Sequence, residues 1–256
     1  MRAPSCWSGP GIWARLRVRT RLPRCCASSS KSNGMPLHEI PGPAGRLEAL
    51  LDEPASRGIG ADGRLEIGHT EGLRAAVVFG HPHTGYGGTM HTKVVYQAAK
   101  ALSRIGCAVL RFNFRGAGAS AGGFTDGPGE MDDFRAALDF MRDRYPDAVM
   151  WAAGMSFGAW IALTVGAEDP RVSTLIGIAP PIARYDFTSV ERSTTPKFFI
   201  QGELDEICPL KVMREFYARA AEPKELVVID GADHLFDGKV AEVADAIEDL
   251  LEDWSL

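Results

Sequence analysis

Short apolar segments alternate with amphipathic helical segments along most of the chain, and this alternation limits the possible folds more than any other feature. The segments predicted as strands are residues 37–40, 47–51, 74–79, 107–114, 148–153, 172–178, 197–200 and 226–229. The predicted helices are residues 92–105, 157–167, 209–220 and 239–252. A further predicted helix, between the first and the second of these, has Met131, Phe134, Leu138 and Met141 on one face. Strands that alternate with helices predict an α/β fold, with a mostly parallel sheet flanked by helices on both faces. The first two strands flank a Gly-Pro turn and predict a hairpin.

Residues 1–34 differ in composition from the rest of the chain. They contain seven of the 28 Lys and Arg residues and none of the 33 acidic residues. Arginines interrupt every apolar stretch, which argues against a secretory signal. The segment is interpreted as an organellar transit peptide, as sequence upstream of a true start at Met35, or as a basic interaction arm. In each case residues 1–34 are predicted to be a disordered extension and residues 35–256 the folded domain.

The composition after residue 34 excludes several classes of function. Its excess of acidic residues disfavours binding to nucleic acid or to an anionic membrane surface. No apolar run reaches the ~18–20 residues that span a bilayer. Cys107 and Cys208 have neither zinc-ligand spacing nor a disulfide pattern, so we expect small buried side chains, a reducing compartment and no metal or cofactor. The expected location is cytoplasmic, or organellar if residues 1–34 are a transit peptide, and the oligomeric state stays open, a homodimer included.

The pentapeptide from Gly154 to Gly158 matches G-x-S-x-G, with Ser156 at its centre. The motif is informative here because a predicted strand precedes it and a predicted helix follows it. Small residues on either side allow the strand and the helix to approach each other closely. Such a turn exposes the serine hydroxyl at the carboxyl edge of the sheet, which predicts that Ser156 is a nucleophile.

A serine nucleophile needs a base, and a third residue must orient that base. His234 is the single histidine after Ser156, and it lies in a loop just beyond a predicted strand. Asp205 follows a strand and the glycine turn at Gly202, between the serine and the histidine. We select Asp205 as the orienting acid from a group of nearby carboxylates. The others are Glu203, Glu206, Asp230 and Asp233.

Two backbone N–H groups should complete the site by binding the oxyanion of the reaction. One is that of Phe157, at the start of the helix after Ser156. The other is expected in the loop after the strand at 74–79, at His83 or Thr84. A zinc site built from His81, His83 and His91 is the competing interpretation of this loop, but no further ligand cluster appears downstream.

The motifs together resemble the α/β-hydrolase superfamily, in its small bacterial branch of dienelactone-hydrolase-like and esterase-like proteins. The resemblance covers about residues 74–236. It is carried by residues 81–83 with 87–90, by residues 111–116, 154–158 and 202–206, and by residues 234–236. Dienelactone hydrolases use a cysteine nucleophile, so Ser156 argues against that particular reaction. The segment at 116–121 also fits G-x-G-x-x-A, but no helix follows it directly, so we interpret it as a loop of the superfamily rather than a dinucleotide site.

The cleft is expected to be open, because residues 179–196 are too few for a multi-helix lid. An open cleft favours esters with short acyl chains as small-molecule substrates. A thioesterase, lactonase or peptidase with the same triad, or a catalytically silent binding protein, are the alternatives. The expected apolar walls are Tyr86, Phe124, Phe157, Ile182, Phe187 and Leu235.

Overall fold

The computed structural model describes residues 16–18, 37–54, 72–251 and 254. The strands in these residues are β1 (Leu16–Val18), β2 (Leu37–Gly42), β3 (Gly45–Asp52), β4 (Ala75–Gly80), β5 (Cys107–Phe112), β6 (Met150–Met155), β7 (Val172–Ile178), β8 (Lys197–Gly202) and β9 (Lys224–Ile229). They form one sheet in the order β1-β9-β8-β7-β6-β4-β5-β3-β2. The hairpin β2–β3 is antiparallel, and β3 is antiparallel to β5. The remaining pairs are parallel, which confirms the predicted α/β sheet.

Helices cover both faces of this sheet. They are α1 (Lys93–Arg104), α2 (Pro128–Arg144), α3 (Phe157–Glu168), α4 (Thr188–Arg192), α5 (Leu210–Arg219) and α6 (Val240–Leu251). One core cluster packs α1 and α6 against the sheet, and the other packs α2, α3, α4 and α5 against the opposite face. Every residue of β4 and β6 is buried, as expected for central parallel strands. In the described part of the chain, no helix has the length and apolar character needed to cross a membrane.

The connection from β7 to β8 leaves the carboxyl edge of the sheet uncovered by an inserted domain. Residues 179–196, all of them described, hold the five-residue α4 and otherwise turns and extended chain. The sequence predicts no multi-helix lid there, and it does not predict the short helix α4. A helix of one turn is too short to show an apolar period, so the sequence pattern does not reveal it.

The start of the chain shows one difference from the sequence prediction. Residues 16–18 form β1, which pairs in parallel with β9 from Leu16↔Leu226 to Val18↔Val228. An edge strand is held by backbone hydrogen bonds and needs no side-chain period, so the pattern of the sequence does not indicate it. The other residues of 1–34 lie outside the described residues. The division at residue 35 therefore stays a prediction.

Candidate active site

Ser156 lies in the turn between β6 and α3, at the carboxyl edge of the sheet. Its backbone has φ 53° and ψ −122°, a region that side-chain-bearing residues rarely adopt. The Ser156 N–H donates to the Ile178 carbonyl at 2.8 Å and holds the turn in place. A Cβ on Gly154 would collide with the backbone of Gly158, and one on Gly158 with that of Gly80. The flanking glycines are therefore required by the close approach of strand and helix.

Two further side chains reach Ser156 through a continuous chain of hydrogen bonds. His234 Nε2 lies 2.8 Å from Ser156 Oγ, and His234 Nδ1 lies 2.8 Å from Asp205 Oδ2. Asp205 and His234 are buried, whereas Ser156 is partly exposed. Because a carboxylate only accepts hydrogen bonds, Nδ1 carries the imidazole proton and Nε2 is left to accept the serine proton. The structure thus brings together the three residues that the sequence selects.

Two of the other nearby carboxylates, Glu203 and Asp233, make contacts that do not involve the imidazole. Glu203 Oε2 accepts the Gly231 N–H at 2.8 Å and ties the two loops together. Asp233 Oδ1 accepts the N–H groups of Leu235 and Asp237, each at 3.0 Å, and so caps its own loop. Both side chains are occupied in shaping the loops rather than in contact with His234.

The loop after β4 presents two free backbone donors, at His83 and Thr84. The N–H groups of the next residues are taken, because Gly85 donates to His83 Nδ1, Tyr86 and Gly88 to the His83 carbonyl, and Gly87 to the Thr84 carbonyl. No hydrogen bond within the described residues takes up the N–H of His83 or Thr84. Because β4 pairs with β6, this loop adjoins the turn at Ser156.

The first residue of α3 is Phe157, so its N–H has no partner one turn earlier in the helix. Its ring contacts that of His83, with centroids 5.2 Å apart. The Phe157 donor and the free donors at 83 and 84 are therefore carried by neighbouring segments of chain. This arrangement suits the stabilisation of negative charge developing on a carbonyl oxygen next to Ser156.

Buried hydrogen bonds fix both ends of the 81–90 loop against the end of β5 and the residues that follow it. His81 Nε2 accepts the Phe114 N–H at 3.0 Å, and its Nδ1 lies 2.6 Å from the Pro82 carbonyl. Asn113 Oδ1 accepts the Met90 N–H at 2.8 Å, and Arg111 donates to the Met90 carbonyl at 2.9 Å. Arg111 and Asn113 of the 111–116 segment therefore hold the end of the loop that carries the free donors.

The buried imidazole of His81 makes a testable contribution to stability. Burial lowers its pKa from 6.5 to about 4, so between these pH values the unfolded chain binds a proton that the folded chain does not. The stability present above pH 6.5 should therefore fall as the pH drops toward 4, by up to about 3 kcal/mol. Urea unfolding across this range, with His81→Gln beside the wild type, measures the contribution as the difference between the two slopes.

The exposed His91 of the same loop offers the control for that experiment. His91→Gln removes an exposed imidazole from this loop and leaves the contacts of His81 in place. Equal slopes for wild type and His81→Gln would show that the buried imidazole is not responsible.

The histidines near β4 do not converge on a common point. His81 contacts Phe114 and Pro82, whereas His83 accepts the Gly85 N–H and packs with its ring tilted against that of Phe124, with centroids 4.4 Å apart. In the described residues no group of three or more His, Cys, Asp or Glu side chains has the arrangement of a metal site.

The two described cysteines are free and buried. Burial raises the pKa of the Cys107 thiol to about 12 and that of Cys208 to about 11. Both thiols therefore stay protonated at neutral pH and pack as small apolar side chains. The Gly-rich segment at 116–121 is a loop, and the next helix begins only at Pro128.

The residues predicted to line the cleft differ in how far they are exposed. Tyr86 and Leu235 are 78% and 55% exposed on the loops next to the triad, and Phe124 packs 5.5 Å from Phe157. Ile182 is partly buried against the core. The prediction for Phe187 is wrong: it is 4% exposed and packs against Phe216 of α5. An aromatic residue in a short connection cannot be assigned to a cleft or a core without knowing what packs beneath it.

Two aromatic residues near the site are not predicted from the sequence. Trp160 and Tyr185 stack with their ring planes 10° apart and centroids at 4.1 Å, and both contact the Phe157 ring. Trp160 follows Phe157 by three residues on α3, so helical spacing places the two on one face. Tyr185 lies in irregular chain, where no period indicates its position.

Several known proteins are similar to this chain in sequence or in fold. A family model described as serine aminopeptidase, S33, matches residues 72–188. An uncharacterized protein of Rickettsia prowazekii is 36% identical over 226 residues, which cover 85% of this chain and 89% of the relative. The structure of an α/β serine hydrolase homologue from Coxiella burnetii is 34% identical with a TM-score of 0.75, over 88% of this chain and 100% of that one.

A third relative bears on the open cleft. A serine hydrolase of Xanthomonas campestris, described as a member without a lid, is 32% identical with a TM-score of 0.73. The match covers 87% of this chain and 95% of that one. The chain therefore belongs to the family of lid-less α/β serine hydrolases.

Proposed function

We propose that the protein hydrolyses carboxylic esters with short acyl chains, through an acyl-enzyme formed on Ser156. The observation that carries the proposal is the unbroken chain of hydrogen bonds from Asp205 through His234 to the Ser156 hydroxyl. A neutral serine is a weak nucleophile, and a base in direct contact with its hydroxyl supplies the activation it needs.

In the acylation step, Ser156 Oγ attacks the ester carbonyl carbon while His234 Nε2 takes the hydroxyl proton. The carbonyl oxygen becomes an oxyanion, which the N–H of Phe157 and a free N–H at His83 or Thr84 would bind. When the bond to the alcohol breaks, His234 returns the proton to the leaving oxygen. Asp205 stabilises the imidazolium between these two transfers.

Deacylation repeats the same proton transfers with water as the nucleophile. His234 removes a proton from a water molecule, which attacks the acyl carbon. The new tetrahedral intermediate collapses, the Ser156 oxygen leaves and takes the proton, and a carboxylic acid is released. One ester and one water thus give one alcohol and one acid.

The preference for short acyl chains follows from the connection between β7 and β8. Residues 179–196 contain only the five-residue α4, so they provide no enclosed surface for a long acyl chain. Values of kcat/KM for nitrophenyl acetate, butyrate and decanoate test this directly, and we expect the acetate or the butyrate to be the best substrate. A clear advantage of the decanoate would show that a closed apolar tunnel exists.

The alternatives are separated by two further measurements. A fluorophosphonate probe should label the wild type at Ser156, whereas a silent binding protein with the same fold should not react. A panel of esters, thioesters, lactones and aminoacyl amides then ranks the acyl donors, with the peptide-like amides included because the family model is described as an aminopeptidase. Esters should give the highest kcat/KM.

We place the reaction on a small-molecule ester in a reducing compartment. The acidic composition after residue 34 disfavours nucleic acid and anionic membranes as partners. The free, buried Cys107 and Cys208 suit the cytoplasm, or an organelle if residues 1–34 act as a transit peptide. The proposed reaction is compatible with a monomer and with a homodimer.

A further inference from the structure

Gln201 is a fully buried polar residue near the end of β8, four residues before Asp205. Its Nε2 donates to Asp205 Oδ2 at 2.8 Å and to the Cys208 carbonyl at 2.9 Å. Asp205 Oδ2 is the same oxygen that accepts the hydrogen bond from His234 Nδ1. The amide therefore touches the acid of the triad at the atom that orients the base.

The partners of Gln201 determine the orientation of its amide. Both neighbouring groups, a carboxylate and a carbonyl, can only accept hydrogen bonds, so the NH₂ end must face them. Oε1 then points the other way, where it is buried and accepts no hydrogen bond from the described residues. The two acceptors therefore fix which end of the amide meets the acid.

Asp205 is bound on both oxygens, and the two sides differ in kind. Oδ1 accepts the backbone N–H groups of Ile207 and Cys208, each at 2.8 Å. Oδ2 is shared between the side chains of His234 and Gln201. The amide therefore limits rotation of the carboxylate at the oxygen whose lone pair must stay aimed at the imidazole.

We propose that Gln201 is a positioning residue that holds Asp205 Oδ2 in line with His234 for proton transfer from Ser156. This inference rests on the proposed function of the triad. The competing explanation is that Gln201 only fastens the 205–208 loop to β8 through the Cys208 carbonyl. The two explanations predict different effects of a Gln201 substitution in a variant that lacks the Asp205 carboxylate.

The first test replaces the amide with an apolar side chain of similar length. Gln201→Met should lower kcat for nitrophenyl acetate about tenfold with KM nearly unchanged, because the contact serves proton transfer rather than substrate binding. Gln201→Glu keeps the size but turns an acceptor toward Asp205, and it should lower kcat further. Thr174→Val is the matched control, since Thr174 Oγ1 on β7 is also buried without a partner among the described residues. Its kcat should equal that of the wild type.

A double-mutant cycle with Asp205→Asn decides between positioning and fastening. The rate of Ser156 labelling by a fluorophosphonate probe serves as the readout, since it stays measurable in slow variants. If Gln201 acts through the carboxylate, Gln201→Met should cause no further loss in the Asp205→Asn background. A loss of equal size in both backgrounds would overturn the proposal in favour of fastening.

The remaining outcomes are also distinguishable. A Gln201→Met variant that keeps kcat within twofold of the wild type overturns the positioning role. If the methionine variant does not fold, Gln201→Glu is measured instead, and a wild-type kcat in that variant also overturns the role. A wild-type protein that is not labelled at Ser156 would instead refute the proposed function. Labelling of the wild type together with a neutral Gln201→Met would refute the inference alone.

Discussion

Substituting Ser156 with alanine should abolish ester hydrolysis and leave the fold intact. The Ser156 hydroxyl lies 2.8 Å from His234 Nε2, and it is the group that this base would deprotonate for attack on the substrate. Loss of a triad nucleophile typically costs on the order of 10⁴–10⁶ in kcat. Because the replacement removes one oxygen and keeps the backbone, the circular dichroism spectrum and the melting temperature should change little. Steady-state hydrolysis of nitrophenyl acetate measures the loss.

A serine elsewhere on the same side of the sheet provides the control. Ser189 lies on α4, outside the triad, and Ser189→Ala should keep full activity and full labelling by a fluorophosphonate probe. If Ser156→Ala retained a tenth of the wild-type activity, Ser156 could not be the nucleophile.

The second large effect is expected at Asp205, where Asp205→Asn should lower kcat by roughly 10⁴. Asp205 Oδ2 accepts a hydrogen bond from His234 Nδ1, with the two atoms 2.8 Å apart, so it fixes the tautomer in which Nε2 can act as the base. An asparagine amide can present its NH₂ end to the ring and favour the opposite tautomer. The backbone N–H groups of Ile207 and Cys208, which donate to Oδ1, can keep the carbonyl oxygen of an asparagine in place, so the fold should persist.

Glu203→Gln and Asp233→Asn are matched controls for this prediction, because both remove one negative charge from the same two loops. Glu203 ties Gly231 to the acid loop, and Asp233 caps the histidine loop. Each contact is with backbone rather than with the imidazole, so each variant should lose about tenfold at most. A mild Asp205→Asn together with a severe effect at either control residue would assign the third triad position differently.

The parts of the molecule that the sequence predicts well are those with a regular pattern. The apolar run at residues 172–178 predicts both ends of β7 correctly. The helical period at residues 92–105 predicts both ends of α1 to within one residue. The strand before Ser156 is shifted, because β6 runs from Met150 to Met155 rather than over residues 148–153. Burial in a parallel sheet is recorded in local side-chain character, whereas the end of a strand depends on where its neighbours stop.

The sequence by itself determined the fold class, and it predicted the nucleophile and its base from a strand–turn–helix signature and a single downstream histidine. Tertiary structure decided the contacts between distant segments. The sheet order places β8 and β9 beside one another and β4 beside β6, so that Asp205 meets His234 and the 83–84 donors adjoin Ser156. It also buries Phe187, stacks Trp160 on Tyr185 and turns Gln201 toward Asp205. Local pattern records which side chains are buried, but the partner of a buried side chain is set by the packing of elements far apart in the chain.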